Sequence, residues 1–113
     1  MDKNKLLITG VAGFIGFHLS KSLLDSGFQI FGIDNISDYY NVKLKYDRLE
    51  KLKKYSNFQF SKIDISNYNQ LSKAFNDFHP YKVINLAAQA GVRYSLENPF
   101  IYMTTNIVGF LNI

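Results

Sequence analysis

Apolar positions along the chain follow two rhythms that alternate from one end to the other. Short, nearly continuous apolar runs occur at Lys5–Thr9, Phe28–Ile33, Phe58–Ile63 and Lys82–Ala87, the signature of strands buried in a parallel sheet. Between them, apolar residues recur every three or four positions. Ile15, Leu19 and Leu23 predict a helix that starts near Phe14, and Gly27 stands where helices commonly end. Val42, Tyr46 and Leu49 predict a second helix over 42–54. Ser66 can cap a third, with Tyr68, Leu71, Phe75 and Phe78 on its core face and Pro80 beyond its end. The fourth run, almost wholly apolar, predicts a strand covered on both faces. Asn98 and Pro99 suit the start of a last helix with Phe100, Met103, Ile107 and Phe110 on its core face.

Strands joined by helices imply an α/β chain with a parallel sheet and right-handed crossovers. The first strand runs into Gly10, Gly13 and Gly16, and a helix follows. Glycines there let the backbone turn tightly and let a pyrophosphate approach it, while the helix N-terminus offers N–H groups and partial positive charge. The second strand run ends at Asp34, about 20 residues on, where a dinucleotide site needs an acceptor for ribose hydroxyls. Together these predict a Rossmann-type doubly wound sheet of strand order 3-2-1-4, with a ligand at the carboxyl ends of its strands. Gly10–Gly16, Asp34, Asp64 and Leu86–Gln89 all fall at those ends. The pattern runs out at Asn112-Ile113 inside a helix. The expectation is therefore that residues 1–113 form the N-terminal part of a dinucleotide-binding domain, cut within its fourth helix.

Composition narrows the alternatives. Of 113 residues, 47% are hydrophobic and 19% charged, which fits a globular chain with a core. The net charge of +4 is concentrated in Lys43, Lys45, Arg48, Lys51, Lys53 and Lys54. With no recognition motif beside it, this run predicts a solvated helix face and no nucleic-acid partner. With no cysteine there is no disulfide, thiolate nucleophile or cysteine metal site. His18 and His79 are too few and too far apart to predict a metal, and His79 before Pro80 reads as a helix end. The lack of a membrane-length apolar run and of a signal h-region points to a cytoplasmic location.

Three stretches carry a family resemblance that covers nearly the whole chain. Gly10-Val-Ala-Gly-Phe-Ile-Gly-Phe-His-Leu19 resembles the glycine motif of the extended short-chain dehydrogenase/reductases. Asp34–Leu49 and Asn85–Pro99 are similar to the segments after the second and fourth strands of NAD-dependent nucleotide-sugar epimerases that act on UDP-glucuronate. Asn85 is a departure, since the family pattern leads one to expect histidine there. The resemblance implies that Gly10, Gly13, Phe14, Ile15 and Gly16 hold the NAD pyrophosphate. It implies that Asp34 and Asn35 take the adenosine ribose, and that Asp64 and Ile65 flank the adenine. Leu86, Ala87 and Ala88 would back the nicotinamide ribose, and Asn106 would anchor the middle of the site. Gln89, Val92, Arg93 and Ser95 would meet the UDP-sugar. Arg93 reads either as the partner of a hexuronate carboxylate or as part of a structural ion pair.

The chemistry so implied is epimerisation at C4 through a hydride cycle, with a tyrosine base in a Tyr-x-x-x-Lys motif. Tyr39 and Lys43 match that spacing but follow the second strand, on the adenosine side, so the match is fortuitous and no catalytic residue is expected in these 113 residues. A 4,6-dehydratase or UDP-glucuronate decarboxylase of the same family, or a module that binds a dinucleotide without catalysis, are the alternatives. Asp34, with no adjoining arginine, argues for NAD over NADP. Self-association as a homodimer or larger species is expected through the edge of the fourth strand and through Val108 and Leu111.

Overall fold

The computed structural model describes residues 2–37, 42–87, 111 and 113. In chain order the elements are β1 (Lys5–Thr9), α1 (Phe14–Asp25), β2 (Gln29–Asp34), α2 (Val42–Lys53), β3 (Phe58–Lys62), α3 (Tyr68–Phe78) and β4 (Lys82–Asn85). The four strands form one parallel sheet in the order β3-β2-β1-β4, as the sequence predicts. Leu7 lies opposite Phe31 on one side and Val83 on the other.

Strand periodicity divides the core in two. Leu6, Ile8 and Ile30 point to one face, where they pack with Phe17 and Leu24 of α1 and Leu49 and Leu52 of α2. Leu7, Phe31 and Ile33 point to the other and pack with Leu71, Ala74 and Phe78 of α3. The Phe31 and Phe78 rings meet edge to face. Lys5 fastens the far end of α3: its ammonium donates to the Phe78 carbonyl at 3.1 Å and lies over the Phe78 ring. The helix then ends on His79 in the left-handed region, with Pro80 next.

The helices differ from expectation in their rotation. In α1 the buried residues are Gly16, Phe17, Ser20 and Leu24, whereas Ile15 is 66% exposed and Leu19 and Leu23 are half-buried. The cause is steric: Gly16 rests against the Gly10 carbonyl, which turns that stripe toward the sheet. In α2 the buried residues are Lys45, Leu49 and Leu52, and Tyr46 is exposed. Lys45 goes in because its ammonium reaches the Ser37 carbonyl at 2.9 Å while its methylene stem packs. In α3 the cap is Asn67, whose side chain accepts from the Gln70 amide, and not Ser66. Ala74 takes the core position expected for Tyr68, which is exposed.

β4 is half-buried: Ile84 packs against one core cluster and Val83 against the other, and among the described residues it pairs with β1 alone. The expected last helix from Asn98 onward, with its core stripe and Val108, lies outside the described residues. Among the described residues no helix is long and apolar enough to cross a membrane.

Candidate dinucleotide-binding site

The site is built where β1 gives way to α1. Gly10 takes φ +69, and its amide donates to the Ile33 carbonyl at 2.9 Å, tying the turn to β2. A Cβ on Gly10 would come within 2.8–2.9 Å of the Leu86 and Ala87 backbone, and one on Gly16 within 2.1 Å of the Gly10 carbonyl oxygen. These two glycines let three backbone segments meet at one point. Gly13 is different: it is the N-cap of α1 at an ordinary φ of −72°, and its amide closes the turn onto the Gly10 carbonyl at 3.1 Å. Among the described residues no side chain caps α1. Phe14 and Ile15, 65% and 66% exposed, flank that helix start.

Asp34 closes the adjacent side. Its carboxylate is buried and accepts one backbone amide on each oxygen, Ala12 at 3.0 Å and Ile36 at 2.8 Å. Asn35 turns the chain further by accepting the Ser37 amide on its side-chain oxygen. Ile36, a β-branched residue, is held at φ +53, a costly conformation sustained by its burial and by the bond to Asp34.

At the opposite side of the turn stands Thr9, fully buried. Its hydroxyl donates to Asn85 Oδ1 and accepts the amides of Leu86 and Ala87, each at 3.0 Å. That uses one donor and two acceptor positions, and it sets the backbone of the segment that Gly10 abuts. Asn85, the departure from the family pattern, therefore acts through Thr9. Two residues past β3, Asp64 accepts the amide and hydroxyl of Ser66 on one oxygen, and Ile65 is buried beside it in the chain.

The fold thus brings Gly10, Gly13, Phe14, Ile15, Gly16, Asp34, Asn35, Asp64, Ile65, Leu86 and Ala87 to the carboxyl ends of the four strands. Ala88, Gln89, Val92, Arg93, Ser95 and Asn106 lie outside the described residues, as do Tyr39 and Tyr40. Two participants escape sequence reasoning. Thr9 is one; a hydroxyl closing an otherwise apolar strand just before the glycines was the available signal. Arg48 is the other. It reaches from α2 to the Ala12 carbonyl at 3.0 Å, on the residue whose amide Asp34 accepts.

Comparison with known proteins places this architecture. The family model described as GDP-mannose 4,6 dehydratase matches residues 7–113. The chain belongs to that family. Among curated relatives, Protein CapI of Staphylococcus aureus is 58% identical over 109 residues, covering 96% of this chain and 32% of the relative. UDP-glucuronate 4-epimerase of Thermodesulfobacterium geofontis is 51% identical over 107 residues, covering 95% and 33%. Among solved structures, UDP-glucuronic acid 4-epimerase of Bacillus cereus in complex with UDP-glucuronic acid and NAD superposes with a TM-score of 0.85 at 40% identity, covering 96% of this chain and 34% of that one. The chain spans about a third of the length of the family relatives it matches.

Proposed function

We propose that this chain is the NAD-binding, N-terminal part of a longer nucleotide-sugar epimerase that interconverts UDP-glucuronate and UDP-galacturonate at C4. The observation that carries the reading is the meeting of Gly10 and Gly16 with a buried carboxylate, Asp34, at the carboxyl ends of β1 and β2. A Cβ at either glycine would strike neighbouring backbone, so both are needed to shape the turn, and Asp34 keeps lone pairs beyond its two amide bonds. Both features fit a dinucleotide. The names of the relatives add the nucleotide sugar and the cofactor.

On this reading Gly10, Gly13, Phe14, Ile15 and Gly16 hold the pyrophosphate at the α1 N-terminus. Asp34 and Asn35 take the adenosine ribose, and Asp64 and Ile65 flank the adenine. Leu86, Ala87 and Ala88 back the nicotinamide ribose, and Asn106 anchors the middle of the site. Gln89, Val92, Arg93 and Ser95 contact the sugar nucleotide. The bound cofactor supplies a hydride acceptor and donor. The 113 residues orient it and contribute no proton-transfer base, so alone they bind without catalysing. The protein works in the cytoplasm and self-associates.

Calorimetric titration tests the core of the reading. NAD should bind and NADP should bind far more weakly, because a 2′-phosphate would be set against the Asp34 carboxylate. Equal binding of the two, or binding of neither, would overturn it. In the intact protein, UDP-glucuronate should yield UDP-galacturonate; release of carbon dioxide would assign the decarboxylase instead.

A further inference from the structure

The turn before α1 is held in part by contacts from outside the glycine motif, and one of these is a cation. The Val11–Ala12 peptide donates its N–H to Asp34 Oδ2 at 3.0 Å. The next peptide, Ala12–Gly13, accepts Arg48 Nη1 on its carbonyl at 3.0 Å and donates its own N–H to the Gly10 carbonyl at 3.1 Å. Two consecutive peptides are thus pinned to two different elements, β2 and α2. The Arg48 guanidinium also lies 5.9 Å from the centre of the Phe14 ring, an exposed ring at the helix start.

We propose that Arg48 is a positioning residue for the pyrophosphate turn, acting through the Ala12 carbonyl to preorganise the turn for two phosphates. The proposal rests on the reading that this turn holds the cofactor. Its physical basis has three parts. A charged donor on a carbonyl makes a stronger bond than a neutral one. Polarising the Ala12–Gly13 peptide strengthens the Gly13 N–H bond that closes the turn, because linked hydrogen bonds reinforce one another. A fixed positive charge behind the turn adds to the α1 N-terminal field that favours an anion. A planar guanidinium can donate and lie over a ring at once, which an ammonium does less well. Leu49, the next residue in α2, is fully buried, so the helix that carries Arg48 is anchored in the core.

The test compares three probes, NAD, ADP and adenosine, on the intact protein and on Arg48→Met and Arg48→Lys. Arg48→Met keeps an apolar stem and removes the donor and the charge. It should weaken ADP and NAD about tenfold, the scale of one charge-assisted hydrogen bond, while adenosine, which has no phosphate, changes less than about twofold. Arg48→Lys should fall between. All titrations are run well below each variant's thermal midpoint, so that only folded protein is read. Equal losses for all three probes would make Arg48 a general structural support and overturn the proposal. So would unchanged ADP binding in Arg48→Met. If the unsubstituted protein binds adenosine and ADP but not NAD, the cofactor reading fails while the Arg48 comparison on ADP still decides this one. If it binds none of the three, both fall.

Discussion

The Asp34 carboxylate holds the backbone amide of Ile36 at 2.8 Å, and Ile36 sits at φ +53. A left-handed conformation costs an L-residue about 1–2 kcal/mol, more for a branched side chain. Here it is sustained by that bond and by burial of the isoleucine beside Leu49 and Leu52 in the core. The carboxylate is thus a structural pin as well as a candidate ribose acceptor.

Asp34→Asn should therefore destabilise the protein before any ligand is considered. The amide retains one oxygen for one backbone N–H and turns an NH₂ toward the other. Leaving a buried amide without its acceptor costs about 1–3 kcal/mol. Urea denaturation of the ligand-free protein measures this, and a midpoint equal to that of the unsubstituted protein would show that Asp34 holds nothing. The same expectation applies to replacements meant to switch cofactor preference, so their binding data need a stability control.

Ile36→Gly sets two effects against each other. Glycine removes the left-handed penalty of about 1–2 kcal/mol. It also deletes a buried side chain, and truncating isoleucine to alanine in a core costs about 2–5 kcal/mol. The cavity wins, so the variant should be less stable by about 1–3 kcal/mol in chemical denaturation. A more stable variant would mean that strain at Ile36 outweighs its packing.

The two nearby glycines should separate cleanly. In Gly16→Ala the new methyl would sit 2.1 Å from the Gly10 oxygen, a backbone atom that cannot swing aside. A loss of about 3 kcal/mol or outright misfolding is expected, at the upper end of overpacking costs. In Gly13→Ala the nearest atom is the same oxygen at 3.2 Å, and φ is ordinary. That variant should lose about 1 kcal/mol, from a poorer N-cap. Thermal melts of the pair check the order, and a reversed order would contradict the packing described.

Which of these features the sequence shows follows from their range. The four strands and the glycine–acid spacing are local patterns, so periodicity exposes them, and the strand order follows from the topology rule for such a chain. The faces of α1 and α2 are not local. The buried stripe of α1 is selected by Gly16 against Gly10, and that of α2 includes a lysine whose ammonium donates to the Ser37 carbonyl. Arg48 was one of six basic residues in a run that reads as a solvated face, and its partner Ala12 is 36 positions away. Hydrophobic counting cannot single out which cation reaches the turn. Asn67 over Ser66 as the α3 cap was decided by competition, since Asp64 engages the Ser66 hydroxyl.

Ser20 lies fully buried in α1, and its hydroxyl has no hydrogen-bond partner among the described residues. Burying an unpaired hydroxyl costs about 1–3 kcal/mol in protein mutational data. Alanine is also the better helix former, by about 0.5 kcal/mol. Ser20→Ala should raise stability by about 1 kcal/mol and leave NAD affinity unchanged. A destabilised variant would reveal that the hydroxyl is satisfied in solution.

The last prediction concerns pH and the join between α1 and the end of α2. Tyr55 donates its hydroxyl to Asp25 Oδ1 at 2.5 Å, and Lys21 meets Asp25 Oδ2 at 3.4 Å. The Tyr55 bond, more than the lysine, holds the Asp25 carboxyl below its ordinary 3.8. The same bond, with some desolvation and the negative charge of Asp25, holds the Tyr55 phenol above its ordinary 10.0. A carboxylate with a lowered folded-state value stabilises fully above 3.8, and that contribution disappears as pH falls through the lower value. A phenol with a raised value stabilises fully below 10.0, and that contribution disappears as pH rises through the higher value. The stability difference between the unsubstituted protein and Tyr55→Phe should therefore be level between 3.8 and 10.0 and shrink beyond both ends. Lys21 and Asp25 are exposed and Tyr55 is half-buried, so the difference is small. It should also shrink with added salt, because screening weakens the lysine and carboxylate charges that support the bond. Denaturant midpoints taken across the pH range in low and high salt supply the curve. A difference that stays flat through both the acid and the alkaline limbs would show that the Tyr55–Asp25 bond does not form in solution.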